Sequence, residues 1–255
     1  MANQWNRLGP PLRPCHEDVE NFRQLLGAPE GLHLLLGITP ELSDLAPHLI
    51  AVDNSAGMIG AVWPGNTTGH KAIQADWLDM PFADNTFDAV IADGSLTLLD
   101  YPLQYQQLFS QLKRVIRPGG KLVIRIFASP DSGETCAAVC RDAMAGQIAG
   151  FHAFKWRLSM ALAAESQNPN LFVADTREIF NRLLPDREQL SRTTGWNPED
   201  IATIDFYHES PARYSYPTLP QLRRVLPQEF RETGLLRGSY ELAERCPILA
   251  LELHR

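Results

Sequence analysis

Apolar residues in the first half of the chain gather in short runs, and the stretches between them repeat at helical spacing. The runs "LHLLLG" (32–37), "HLIAVD" (48–53), "HKAIQAD" (70–76), "FDAVIAD" (87–93) and "KLVIRIF" (121–127) read as strands of a parallel sheet buried on its faces. Before the first of them "HEDVENFRQLL" (16–26) has an amphipathic helical period, and helical stretches separate most of the others. "PELSDLA" (40–46) starts a helix behind Thr39 and Pro40, "AGMIGAVWP" (56–64) is a short helix stopped by proline, and "YQQLFSQLKRVI" (105–116) is a helix closed by "RPGG" (117–120). Strand and helix in alternation predict a parallel sheet with helices on both faces.

The pattern changes after residue 128. "ETCAAVCRDAMAG", "HAFKWRLSMALAAE", "VADTREIFNRLL" and "DREQLSRTTG" are helical in period. "DIATIDFYH" (200–208) reads as a return to strand, "LPQLRRVLP" (219–227) is mixed, and "CPILALELH" (246–254) is a last strand. No repeat, low-complexity tract or long linker divides the chain. The expectation is one domain, residues 1–255, with a helical insertion over 129–200 that leaves the fifth strand and covers the crevice there.

Four residues fall where successive strands should end: Gly37, Asp53, Asp76 and Asp93. Ligands of open α/β sheets bind beyond the carboxyl ends of the strands, so these positions should converge. A single strand-end aspartate is an ordinary turn former or helix cap; an ordered series is more specific. The chemistry suits an adenosyl group. Asp53, sixteen residues past Gly37, can accept both hydroxyls of a ribose, as an acid does about 20 residues into dinucleotide sites. Asp76 can accept from an adenine amino group while Trp77 packs on the base; a turn with a core tryptophan is the plain alternative. In "LLLGITPEL" (34–42) the usual glycine string is missing. A cofactor without phosphate, such as S-adenosylmethionine, makes less demand for one. One glycine then suffices for close approach, with Thr39 capping the helix and touching the ligand.

Composition narrows the partners. The chain has 255 residues, 44% hydrophobic and 21% charged, and a net charge of −7, ordinary for a soluble globular protein. An acidic chain is a poor nucleic-acid binder by default. The expected partner is a small-molecule acceptor, with no nucleic acid and no membrane, in a monomer or homodimer. Cys15, Cys136, Cys140 and Cys246 do not form a disulfide framework; Cys136 and Cys140 share a helix face as two small buried thiols, and no metal site is completed. The N-terminal stretch lacks the apolar core of a signal peptide and no run approaches a membrane span, so a reducing cytoplasm is expected.

Taken together, residues 30–128 resemble the class I S-adenosylmethionine-dependent methyltransferases. The pieces are "LLLGITPEL" as a departed first motif, "IAVDNSAGMI", "ADWLDMPFADNTFDAVIADGS" and, most specifically, "LKRVIRPGGKLVIRIF". "LGITPEL", with "PLRP" (11–14) and "VWPG" (62–65), is similar to a bacterial subset carrying Leu-Gly-Val-Thr-Pro-Glu-Leu at this point. The resemblance implies a Rossmann-like, seven-stranded, mostly parallel sheet whose last strand runs antiparallel. It also implies that Asp53 contacts the ribose, Asp76 and Trp77 the adenine and Gly37 the methionine end, with Asp93, Gly94 and Ser95 lining the pocket near the sulfonium. Thr39, Asn54 and Met58 complete the cofactor-binding set.

On the substrate side the candidates are Arg13, which can reach a carboxylate, and Tyr207, His208 and Tyr214, which can hydrogen-bond or deprotonate an acceptor. Surface and turn roles are the plain alternative for each. No catalytic triad stands out. In methyl transfer the cofactor carries the electrophile, and the protein mainly orients the acceptor and excludes water. A catalytically silent cofactor-binding or regulatory protein is the competing reading. A nicotinamide-dependent dehydrogenase is a third, opposed by the missing Gly-x-Gly-x-x-Gly and the presence of "RPGG".

Overall fold

The structure of the chain, a computed structural model, describes residues 8–28 and 30–254. Seven strands form the main sheet: β1 (His33–Leu36), β2 (Leu49–Asp53), β3 (His70–Gln74), β4 (Phe87–Asp93), β5 (Ile116–Arg125), and, after a two-stranded pair β6 (Asn170–Phe172) and β7 (Arg213–Ser215), β8 (Phe230–Leu236) and β9 (Ile248–Leu253). Their order is β3-β2-β1-β4-β5-β9-β8. The first five are parallel, and β9 lies antiparallel between β5 and β8. The seven-stranded, mostly parallel sheet with an antiparallel last strand is as expected. Strand order reverses between β1 and β4, so a crevice opens beyond their carboxyl ends.

Alternation of side chains sorts the sheet's two faces. Leu35, Leu49, Ala51, Ile91, Val123 and Ile248 pack under helix α1 (His16–Leu26), through Phe22 and Leu26. Leu34, Leu36, Val52, Val90, Leu122 and Ile124 pack under helix α3 (Leu103–Val115), through Leu108, Phe109 and Leu112. Helix α2 (Ala56–Val62) follows β2, its cap supplied by Ser55 Oγ accepting from Met58 N.

A third apolar core lies off the sheet. Between β5 and β8 the chain runs through α4 (Cys136–Met144), α5 (Phe151–Glu165), α6 (Val173–Leu183), α7 (Arg187–Thr194), α8 (Pro198–Ala202) and α9 (Leu219–Val225). Phe151, Phe154, Phe180, Trp156 and Trp196 pack together there as a cap. Helix α5 is buried nearly all round, which is how a central helix of a small core reads.

Several local expectations are corrected. Pro40–Leu45 is a 3-10 helix, not an α-helix, and Thr39 stands before it without a side-chain capping bond. Residues 200–208 are not a strand: α8 and a 3-10 helix (Thr203–Tyr207) occupy them. Asn197 caps α8 and Pro198 fills its first turn, so "NPED" is a helix start. Ile201, Ile204 and Tyr207 then fall on one buried side at a spacing of three. The mixed stretch at 219–227 is helix α9, fixed by a Thr218–Gln221 capping box. Strand β5 reaches back to Ile116, which pairs with Phe87; a Cβ at Gly120 would lie 2.8 Å from the Asp88 carbonyl, so the "RPGG" glycine is there for close approach. Strand β8 gave no apolar signal because it is the sheet edge and half of it faces water.

Candidate functional site

The carboxyl ends of β1, β2, β3 and β4 place Gly37, Asp53, Asp76 and Asp93 along one rim, since parallel strands in register end on the same side. Gly37 has φ +91°, a conformation that favours glycine, and a Cβ there would stand 3.6 Å from Trp77 Cζ2. Trp77 is fixed by its indole N–H, which donates to Val52 O at 2.7 Å. The ring therefore lies across the loop after β1, half-buried, with one edge in the second sheet core.

Asp53 is half-buried, and burial pushes its carboxyl up while the Ser55 N–H holds it down. Its Oδ1 accepts from Ser55 N at 2.8 Å; among the described residues no bond to its other oxygen is made. Asn54 is exposed, and its carbonyl accepts from Gln74. Met58 is half-buried beside the first core. Asp76 is exposed, with Oδ1 accepting from Leu78 N at 2.9 Å. Thr39 is buried, at 4% exposure. Cys136 and Cys140 are buried on α4, and burial pushes their thiols to about 12 and about 11.

Asp93 has a different environment from the other rim acids. Its carboxylate is ion-paired to Arg125 at the end of β5, and Arg125 also binds Asp18 of α1 at 2.8 Å and the Tyr240 hydroxyl at 3.2 Å. The Arg125 side chain is fully buried. Burial works against its charge, but Asp93 and Asp18 more than offset this and its pKa rises. Burial pushes the Asp93 carboxyl up, and Arg125 pulls it back. A second ion pair joins Arg13 to Glu41, and so ties "PLRP" to "TPEL". Arg125, Asp18 and Tyr240 were not singled out from sequence. The available signal was an arginine inside the otherwise apolar run "KLVIRIF".

Gly94 turns the chain after β4 in the left-handed region, φ +63°, and Phe127 fills the space where a Cβ would stand, 2.6 Å away. Ser95 begins the next turn, 1% exposed. Tyr207 and Tyr214 are both buried in the cap, ring centroids 6.1 Å apart. His208 is elsewhere: its side chain is 60% exposed and 4.0 Å from Glu209. The structure thus brings Gly37, Thr39, Asp53, Asp76, Trp77, Asp93, Gly94 and Ser95 to one rim, puts Tyr207 and Tyr214 in the cap behind it, and turns His208 to solvent.

A family described as "Methyltransferase domain" matches residues 37–124. The chain is similar to the demethylmenaquinone methyltransferase of Corynebacterium urealyticum, 35% identical over 167 residues that make up 62% of each chain. It is also similar to that of Mycolicibacterium gilvum, 30% identical over 181 residues, 68% of this chain and 71% of the relative. The chain spans a little under two thirds of the first relative's length. In fold it is similar to the N-methyltransferase NodS from Bradyrhizobium japonicum in complex with S-adenosyl-L-homocysteine, with a TM-score of 0.53 and 13% identity over 98% of this chain and 92% of that one. A Mesorhizobium loti S-adenosylmethionine-dependent methyltransferase gives 0.53 and 13% over 91% and 96%. The chain belongs to the S-adenosylmethionine-dependent methyltransferase family.

Proposed function

We propose that this chain transfers the methyl group of S-adenosylmethionine to a small-molecule acceptor held between the sheet rim and the cap. The observation that carries the reading is the ordered rim itself: a positive-φ glycine after β1, then carboxylates after β2 and β3, at the point where strand order reverses. The residues fit the cofactor. The free oxygen of Asp53 suits a ribose diol, Asp76 and the fixed Trp77 ring suit adenine, and the glycine backbone at Gly37 allows close approach. Asn54 and Met58 flank the same place, and Gly94 and Ser95 border its far end.

When bound, the cofactor supplies an electrophilic sulfonium methyl. The chain's own residues bind, orient and exclude water. Asp93 contributes a buried carboxylate whose position is set by Arg125, so its charge stays at the rim rather than swinging into solvent. The cap, with its own apolar core, would cover cofactor and acceptor. Hydrogen exchange with and without S-adenosylhomocysteine should show ligand-induced protection in 129–200 beside an already protected sheet. The acceptor named for the relatives, demethylmenaquinone, is the first substrate to assay.

The direct test is titration calorimetry with S-adenosylmethionine and S-adenosylhomocysteine, followed by assay for methyl transfer. Both ligands are expected to bind and to raise the melting temperature, since a ligand bound only by the native state stabilises it. No heat and no stabilisation with either would overturn the reading. Binding without transfer to any acceptor tried would favour a silent cofactor-binding protein.

A further inference from the structure

The connection from β3 to β4 holds no helix: residues 75–86 run as turns and one short bridge, Asp76 to Asp79. A crossover between parallel strands ordinarily lays a helix on the sheet, and its omission leaves part of one face uncovered. Trp77 covers the carboxyl end of β2 on that face, its indole donating to Val52 O. At the amino end, Leu32 and Ile50 belong to the same apolar core yet stay only half-buried.

A cavity of about 410 Å³ opens at this amino end, away from Gly37 and Asp53. Its volume lies within the range of small-ligand sites. Leu32 and Ile50 are its half-buried apolar part; His48, Thr68, Lys71 and Arg117 are its exposed polar part. The parallel register explains the convergence, since Lys71 pairs with Ile50 and His48 immediately precedes β2. Arg117 donates from Nε to Asn85 O at 3.1 Å and from Nη1 to Asp88 at 2.6 Å, which leaves Nη2 over. Asp88 is the acid on the lining, and both its oxygens are spent, one on Arg117 and the other on Leu32 N at 2.8 Å. The Arg117–Asp88 pair is therefore neutral, and Lys71 is surplus positive charge. Among the described residues, the side chains of Lys71 and His48 have no hydrogen-bond or ion-pair partner. In a chain of net charge −7, a cavity with surplus cations and no free acid is a local departure that favours an anion.

We propose that this cavity binds a phosphate monoester with a small apolar body, the phosphate held by Lys71, Arg117 and Thr68 and the body laid on Leu32 and Ile50. The proposal goes beyond the methyltransferase reading and does not rest on it. A phosphomonoester carries about −1.5 to −2 charges near neutral pH, which suits a lysine, an arginine with a spare N–H edge and a histidine around one head. The ammonium meets phosphate as a point charge, and the guanidinium edge and the hydroxyl add directed donors. The uncovered face supplies what a free phosphate cannot use: apolar surface that an aryl or short alkyl group removes from water.

The test uses the full chain with 15N in its backbone amides. The probes are phenyl phosphate, inorganic phosphate, benzoate and phenol. Phenyl phosphate is expected to shift the amides of Leu32, Ile50, Thr68 and Gly69, which line the cavity, and to leave those of Gly37, Asp53 and Gly94 in place. It should bind about tenfold more tightly than each of the other three probes. Lys71→Gln should weaken it by about tenfold, the scale of one lost hydrogen bond to a charged group; Lys71→Arg should retain most of the affinity. S-adenosylhomocysteine affinity should be unchanged in both variants. Cavity amides that stay fixed, or equal phenyl phosphate affinity in wild type and Lys71→Gln, would overturn the site. Inorganic phosphate binding as tightly as phenyl phosphate would leave a bare ionic contact, and benzoate or phenol doing so would remove the phosphate; either result overturns the proposal. Failure of S-adenosylhomocysteine to bind would remove the methyltransferase reading and leave this site standing. The wild-type titration decides the question even where a variant folds poorly.

Discussion

The sheet and the cap bury their polar groups in opposite ways. In the sheet the buried strand positions are nearly all apolar, and the buried charges stand at the carboxyl rim: Asp93 and Arg125 terminate their strands, with half-buried Asp53 ending another. In the cap, Lys155, Ser159, Thr176 and Thr203 are buried among the aromatic rings. Lys155 is 4% exposed, with Thr203 Oγ1 at 3.3 Å and the Tyr207 ring centroid at 5.2 Å. The sheet gathers its chemistry on one rim and leaves the body for packing. The cap distributes polar groups through its core, where each must be matched by a neighbour or a ligand.

Removing Arg125 should hurt most. Arg125→Met leaves Asp18 and Asp93 buried and facing each other without their cation, so stability should fall by about 3–5 kcal/mol. Urea unfolding measures this, and part of the loss should return at acid pH as Asp93, whose carboxyl burial already pushes up, takes up a proton. A loss under 1 kcal/mol would mean that the sheet rim tolerates uncompensated charge as the cap does.

Phe154→Ala, in the cap, should cost a similar 3–4 kcal/mol, within the usual range for a buried phenylalanine. Hydrogen exchange should accelerate in α4, α5 and α6 more than in β1, β4 and β5. Equal acceleration in both would show one cooperative unit and erase the distinction.

Lys155 gives a pH test. Burial brings its pKa from 10.5 down to about 8. Between these values the unfolded chain binds more protons than the folded one, so stability contributed here rises with pH across 8 to 10.5. Below pH 8 the buried charge carries its full cost, roughly 3 kcal/mol for a shift of this size. Lys155→Met should therefore stabilise the chain at pH 7 by up to about 3 kcal/mol, and the gain should shrink toward pH 10.5. A gain that does not change with pH would mean the side chain is solvated.

Asp53→Ala should weaken S-adenosylhomocysteine binding by about 1.5–3 kcal/mol, since two ribose hydroxyls lose a charged acceptor. Calorimetry on the folded variant reads it; an unchanged dissociation constant would move the cofactor off this rim. The smallest effect belongs to Arg13→Ala. Its pair with Glu41 is part-exposed, so the stability change should stay within about 1 kcal/mol by urea unfolding.

The first half of the chain was legible because its signals are local. A parallel strand shows as an apolar run, so its end is legible to within a residue or two: Asp53 and Asp93 do end β2 and β4, whereas β3 stops at Gln74, two residues before Asp76, and β5 at Arg125, two residues before Phe127. Where the local signal was weak or shared, the reading failed. "DIATIDFYH" has both strand-like alternation and a helix start before it, and the Asn197 cap with Pro198 decided for helix. Strand β8 showed nothing, since an edge strand needs little apolar surface.

By itself the sequence determined the order of strands and helices, the rim on which the acids stand and the class of cofactor they suit. Each of these depends on neighbours along the chain. Tertiary structure alone decided which rim acid is free and which is held. Asp93 and Asp53 look alike in sequence, but Arg125 comes from 32 residues later and Asp18 from 75 residues earlier, and only folding gathers both carboxylates around the one guanidinium. The cap's aromatic cluster was hidden for the same reason. Trp156 stacks on Phe127 and meets Tyr216 edge-on, residues distant in sequence that become its neighbours only in the folded chain.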